Sequence, residues 1–245
     1  MAVAATSVTS NNQDNTSVST GDTTNFTINS GEAVLSFLMV RNASPTGVTA
    51  AWDPAGVNES LSLVTSLTIN SALTILVYGK LNPTAAVGKF VRWTWTGAGA
   101  FGANALTLSG VDTGSMATSF VVATPASGNS GTASINISSA ANNLTLDFVA
   151  VDSAASVLSA PTQTQQVLNN GMSTQVFAVS TAAGSASNTH QWTVSPSGQW
   201  GVIGINIVAV GQAGGGPGSG SDSSAVQLSE SSANLIRVTV PEETA

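Results

Sequence analysis

The chain has no cysteine, one histidine, one tyrosine and five basic residues in 245 positions. Each scarcity excludes something. Without cysteine there is no disulfide and no thiolate ligand for a metal. His190 is the one base available to a histidine-dependent triad, and no Gly-x-Ser-x-Gly elbow presents it with a nucleophile. Arg41, Lys80, Lys89, Arg92 and Arg237 are scattered and form no patch for a phosphate backbone or an anionic bilayer. Neither nucleic acid nor a membrane is an expected partner. No apolar run reaches the roughly 18 residues that span a bilayer.

Charge of either sign is scarce. Asp, Glu, Lys and Arg make up 7% of the chain, with a net charge of −7, against roughly a quarter in ordinary soluble domains. Lys and Glu normally coat helices and block open sheet edges. Here hydroxyls and amides must cover the surface, as in exported and particle-forming β proteins. The opening Met1-Ala-Val-Ala-Ala-Thr6 lacks a basic region followed by an apolar one, so no export signal is expected. An extracellular composition without an export signal points to a virion protein, released by lysis.

What is present is β-forming. Val, Ala, Leu and Ile supply most of the apolar residues, with abundant Thr, Ser, Asn and Gly. β-branched residues suit pleated surfaces, and Gly, Asn and Ser form turns. Strands are expected at Thr24–Ile28, Ala33–Val40, Val48–Trp52, Leu73–Tyr78, Phe90–Trp95, Asn104–Ser109, Ser119–Ala123, Ala133–Ile137, Leu144–Val151, Thr174–Ser180, His190–Val194 and Gly201–Val210, with two short strands around Leu61, Leu63, Leu67 and Ile69. Pro54, Pro83, Pro125, Pro161 and Pro196 are expected between strands. This pattern reads as all-β, a jelly-roll-like antiparallel sandwich. The expected organisation is a polar N-terminal arm over 1–22, the sandwich over 23–211, a Gly/Ser linker over 212–224 and a β-patterned C-terminal tail over 225–245. In the tail, Val226, Leu228, Leu235, Ile236, Val238 and Val240 are the candidate assembly residues, since a strand tethered by a flexible linker can pair with a neighbouring subunit.

Candidate chemistry is thin. His190, beside Trp192, reads as a strand-edge residue. Asp147 lies inside an apolar strand and needs a partner if buried, with Arg92 as one candidate. Asp53, Asp112 and Asp152 sit at turns and could contribute to a calcium loop, but no Asp-x-Asp-x-Asp spacing is present. Gly97-Ala-Gly-Ala-Phe-Gly102 precedes a strand, so it reads as a hairpin loop and not a phosphate cradle. No catalytic residue, metal ligand or cofactor is assigned. Trp93 and Trp95 share one strand face. They are either core residues or a platform for stacking on sugar rings.

Five ordered motifs resemble a jelly-roll β-sandwich domain of phage virion (decoration or fibre) and bacterial surface proteins. They are Val48-Thr-Ala-Ala-Trp52-Asp-Pro-Ala-Gly56, Trp93-Thr-Trp-Thr-Gly97, Ser109-Gly-Val-Asp112, Asn142-Asn-Leu-Thr-Leu-Asp147 and Trp200-Gly-Val-Ile-Gly-Ile205. The resemblance covers about residues 25 to 210 and implies a sandwich without enzymatic residues. Together these features lead to an expected role as a phage virion structural protein: a capsid decoration (cement) subunit, or a head or tail fibre subunit. Its partners would be other copies of itself and other virion proteins. The alternative is a carbohydrate-binding or adhesion module at a phage or cell surface, with a surface glycan as partner.

Overall fold

The computed structural model describes residues 1–14, 18–42, 44–153 and 155–212. Apart from Gln212, the expected linker and tail lie outside the described residues. So do Val226, Leu228, Leu235, Ile236, Val238 and Val240.

The first half of the body contains β1 (Ala4–Gln13), β2 (Thr20–Asp22), β3 (Phe26–Ile28), β4 (Ala33–Val40), β5 (Thr46–Trp52), β6 (Glu59–Ser60), β7 (Ser62–Ile69), β8 (Leu73–Leu81), β9 (Ala86–Lys89), β10 (Val91–Thr96) and β11 (Phe101–Ser109). One helical turn, α1 (Met116–Ser119), leads into the second half. That half contains β12 (Phe120–Val122), β13 (Ala126–Ile137), β14 (Leu144–Val151), β15 (Val157–Ser159), β16 (Thr164–Asn169), β17 (Val176–Ala183) and β18 (Asn188–Ile207). The strand pairs are antiparallel. Among the described residues no helix is long and apolar enough to cross a membrane.

These strands form four layers. The sheet β2-β10-β5-β6 packs on the five-stranded sheet β1-β11-β4-β8-β7. The latter packs on β12-β18-β14-β17-β16. The fourth layer is the first part of β18 with β13 and β15, folded back over β14 and β17. Three apolar cores therefore separate the layers, and both middle sheets are covered on two faces.

This double coverage explains the uninterrupted apolar runs. All eight residues of β4 are buried. Leu35, Phe37 and Met39 enter the central core, while Val34, Leu38 and Val40 enter the core beneath the outer sheet. Successive side chains point to opposite faces, so a strand buried twice must be apolar throughout. By contrast β10, in an outer layer, alternates: Val91, Trp93 and Trp95 are buried, while Arg92 and Thr96 are exposed.

One pairing scheme occurs twice. In the first half β4 lies between β8 and β11, β1 lies beyond β11, and β7 lies beyond β8. In the second half β14 lies between β17 and β18, β12 lies beyond β18, and β16 lies beyond β17. Registers agree as well. Phe37 faces Val77 and Asn104, and Phe148 faces Val179 and Ile203. Trp93 thus corresponds to Trp192, Phe101 to Trp200 and Gly102 to Gly201. The halves meet face to face and exchange equivalent contacts. A Cβ on Gly102 would lie 2.3 Å from Phe177 of the second half, and one on Gly201 would lie 2.6 Å from Ile69 of the first. Each glycine is the hollow that receives the other half's side chain.

Three expectations are corrected, and two strands, β15 and β16, were not expected. Residues 4–13 are not an arm. They form β1, hydrogen-bonded along β11 as an edge strand of a five-stranded sheet. Its polar sequence misled because an edge strand gains a full ladder while burying few of its side chains. The residues around Leu61–Ile69 form one strand, β7, preceded by the two-residue β6. Pro196 lies within β18, at the crossing from the outer layer into the large sheet, where no ladder partner is needed. The short polar strands β15 and β16 carry too little alternation to be read from sequence.

Candidate functional site

The second half contains a buried polar cluster. Asp147 on β14 is wholly buried and accepts hydrogen bonds from Ser180 N (2.9 Å), Ser180 Oγ (2.5 Å), Trp192 Nε1 (2.8 Å) and Gln163 Nε2 (3.2 Å). His190 on β18 is also buried. Its Nε2 lies 2.9 Å from Thr145 Oγ1, and its Nδ1 lies 3.5 Å from Ser180 Oγ and 3.6 Å from Asp147 Oδ2. These donors satisfy a carboxylate that would otherwise be costly to bury.

Serine, histidine and aspartate meet here, but not as a triad. A triad needs the serine on one imidazole nitrogen and the carboxylate on the other. Here both approach Nδ1, and the serine hydroxyl donates directly to the carboxylate. All three side chains are sealed from solvent. The cluster ties β14, β17 and β18 together. Two expectations change with it. His190 is a core residue, not an edge residue, and Asp147 does not pair with Arg92. The Arg92 guanidinium forms a bidentate pair with Asp22, at 2.8 and 2.7 Å.

The tryptophans are structural too. Trp93 is 0% and Trp95 4% exposed, in the core between the two sheets of the first half. Trp93 donates to Ser36 Oγ (3.0 Å) and packs edge-on against Tyr78. Neither indole is offered as a sugar platform. Their shared strand face points inward because the other face of β10 carries Arg92 and Thr94.

The turn motifs have geometric causes. Asp53 adopts φ 44 and receives Lys89 Nζ at 3.2 Å. A Cβ on Gly56 would lie 2.1 Å from its carboxylate, so glycine is required there. With its carboxylate so engaged, Asp53 belongs to an ion-paired turn. Among the described residues no group of three His, Cys, Asp or Glu side chains could hold a metal. Residues 97–100 join β10 to β11 and are not the expected hairpin loop: the two strands lie in different sheets, so the loop carries the chain from the outer sheet into the five-stranded one, and Phe101 and Gly102 already belong to β11.

Two surface features remain. A groove of about 480 Å³ runs between β12 and the end of β13, lined by Val121, Ala123, Thr124, Ser134, Ile135 and Asn136. None of its lining residues is charged. A smaller cleft of about 300 Å³ lies between β1 and β16.

The second feature is the distribution of charge. The ion pairs Lys80–Glu59, Lys89–Asp53 and Arg92–Asp22 all gather around the outer sheet of the first half. From Trp93 to Gln212 the sequence has no Lys or Arg, and its only acids are Asp112, Asp147 and Asp152. Since Asp147 is buried, Asp112 and Asp152 are the charges that the described part of the second half shows to solvent, on a surface otherwise of hydroxyls, amides and apolar groups. No protein-family model matches the chain, and neither a curated protein nor a solved structure matches it.

Proposed function

We propose that the chain is a structural building block of a larger particle: a phage virion protein that decorates a capsid or forms part of a head or tail fibre. The observation that carries this reading is the charge-poor surface of the second half, which has no Lys or Arg and two partly exposed acids, Asp112 and Asp152. Interface cores are depleted of Lys, Glu and Asp, because burying such side chains costs desolvation and conformational entropy. A half without Lys or Arg carries little of that cost when a neighbour covers it. The edge strands β1, β7, β12 and β16 carry no charge either. Bulges in β1, β7 and β16 are their visible protection against edge-to-edge pairing.

Strand order supports the finer, jelly-roll reading. The sheets β1-β11-β4-β8 and β2-β10-β5-β6 pair the strands as two interleaved Greek keys would, and the second half follows the same scheme. The motifs that resemble phage virion domains fall on its strands and turns. The alternative reading, a carbohydrate-binding module, loses its platform with Trp93 and Trp95 buried.

Sedimentation of the full chain across concentration tests the proposal. Self-association, or binding to particles that lack the protein, is the expected result. It should be nearly insensitive to salt, because few charges can take part. A chain that stays monomeric at high concentration and binds no particle would refute it. If iodide strongly quenched the tryptophan fluorescence of the folded chain, the sugar-platform reading would return.

A further inference from the structure

We propose that β12 is a self-pairing edge: it joins β12 of a second copy of this chain about a two-fold axis at Val122, and that copy covers the groove between β12 and β13. The inference rests on the assembly reading above and names the surface that carries it.

Sheet edges need protection, because their unpaired N–H and C=O groups accept another strand. Among the described residues every other end strand has some. The ladders of β1, β3, β7, β13 and β16 shift register. Asp22 on β2, Glu59 on β6 and Lys89 on β9 bring charge. β15 is capped by Asn170, whose Oδ1 accepts from Leu158 N–H (2.9 Å) and whose Nδ2 donates to Leu158 C=O (3.0 Å). β12 has none of these. It runs in unbroken register along β18, from Phe120 opposite Ile207 to Val122 opposite Ile205, and carries no charge.

Alternation decides which of its groups are free. Val208 N–H donates to Ser119 C=O and Ala123 N–H to Gly204 C=O, both over 2.9 Å. Every second residue of an antiparallel strand turns its N–H and C=O to the opposite side. Phe120 and Val122 therefore aim theirs away from β18. Phe120 spends its N–H on Met116 C=O, which leaves Val122 with both groups free. A two-fold axis sets Val122 against Val122 of the second copy, and each donates to the other. Such a pair places residues near the axis opposite their own kind, so a charged edge would repel itself. Phe120-Val-Val-Ala-Thr-Pro-Ala126 holds no charge.

Two hydrogen bonds do not hold a dimer, since stable interfaces bury roughly 1,200 Å² or more. The groove of about 480 Å³ widens the contact. Val121 and Ala123 lie on the face of β12 opposite Phe120, which enters the central core. With Ile135 they give the groove an apolar side, and Thr124, Ser134 and Asn136 give it a neutral polar one. A second copy set against this edge removes that lining from water without stranding a charge. Pro125 has no N–H to offer and ends the free edge. A two-fold contact closes on itself, so the product is a dimer and not a filament.

The absence of cysteine allows a direct test. Opposite residues of a hydrogen-bonded antiparallel pair have Cα atoms about 5.5 Å apart, a distance that a disulfide spans. Val122→Cys in the full chain should oxidise to a covalent dimer about tenfold faster or more than Leu63→Cys. Leu63 is the demanding control: it is 55% exposed on the bulged edge strand β7, so random collision favours it. Equal rates, or a faster Leu63→Cys, would overturn the proposal. Sedimentation of Val122→Lys gives a second measure. Two like charges would meet at the axis, and the dimer should dissociate at a concentration about tenfold higher or more. Undiminished self-association of the folded variant would overturn the β12 interface and leave the assembly reading standing. So would a parent chain that binds particles while staying monomeric. A parent that does neither would refute both.

Discussion

Trp192 donates its indole N–H to Asp147 Oδ2 over 2.8 Å, and neither residue is exposed to solvent. The first half makes the same contact at the same place with a smaller acceptor, as Trp93 donates to Ser36 Oγ over 3.0 Å. Around the acceptor the halves diverge. Tyr78 and Val91 of the first half correspond to Ser180 and His190 of the second. One core thus satisfies its indole with a hydroxyl, and the other with a charged group and its retinue of donors.

Removing Asp147 should therefore harm the fold more than removing Ser36. Asp147→Ala strands the donors of Ser180 and Trp192 in a sealed core, while Gln163, partly exposed, can turn to water. Each unsatisfied buried donor costs about 1–3 kcal/mol, and the total should reach about 3–5 kcal/mol. Ser36→Ala strands one indole N–H and should cost about 1–2 kcal/mol. Denaturant unfolding of both variants gives the comparison. Equal losses would show that the carboxylate's network contributes nothing.

Asn104 should be replaceable at a gain. It is fully buried, and neither polar atom of its side chain has a hydrogen-bond partner. It shares a face of β11 with Leu106 and Leu108, which enter the central core. Its counterpart in the second half is Ile203. Asn104→Ile should raise stability by about 1 kcal/mol or more, by removing an unsatisfied amide. A lower midpoint of thermal unfolding would contradict this.

Gly102 and Phe177 should be coupled across the two halves. Gly102→Ala places a methyl group inside the volume of the Phe177 ring and should cost about 1–3 kcal/mol. In a Phe177→Leu background the same substitution should cost less. A double-mutant cycle measures the interaction, expected at about 0.5–3 kcal/mol. Simple additivity would mean that the halves do not interlock at this point.

Acid should act through Glu59. Burial alone would raise its pKa, but hydrogen bonds from the Thr84 hydroxyl and N–H, with the Lys80 charge 3.7 Å away, outweigh burial and hold it below the usual 4.5. A depressed carboxylate stabilises the fold above its unfolded pKa, and loses that contribution as pH falls through the folded one. Glu59→Gln should cost up to about 1 kcal/mol at neutral pH, as a partly exposed pair does. The difference from the parent should shrink below pH about 4. Unfolding midpoints at pH 7 and pH 3 decide it; a constant difference would exclude the mechanism.

Much of the fold is legible along the chain, and the gaps have physical causes. The runs Ala33–Val40 and Leu144–Val151 identify strands covered on both faces, because strict period two is lost only when both faces are dry. The duplication is written faintly. Leu35-Ser-Phe37 matches Leu146-Asp-Phe148, and Trp93-Thr matches Trp192-Thr, with Phe101-Gly and Trp200-Gly following at equal distance. That signal was open to a reader looking for repeats. It was masked because an intact strand tolerates Ser for Asp and Val for His when neighbours adapt.

Sequence alone excludes a disulfide, since the chain has no cysteine, and its alternation marks where most strands run. These depend only on residue type and spacing. Tertiary structure decided the rest. Which way Trp93 faces depends on the sheet that covers β10. Whether residues 4–13 hang free or pair depends on β11, distant in sequence. The meeting of Asp147, Ser180 and His190 depends on the first part of β18 folding back as a separate layer over β14 and β17. A hydrogen-bond ladder can order a polar strand that carries no pattern of its own, so its partner has to be seen before it can be read.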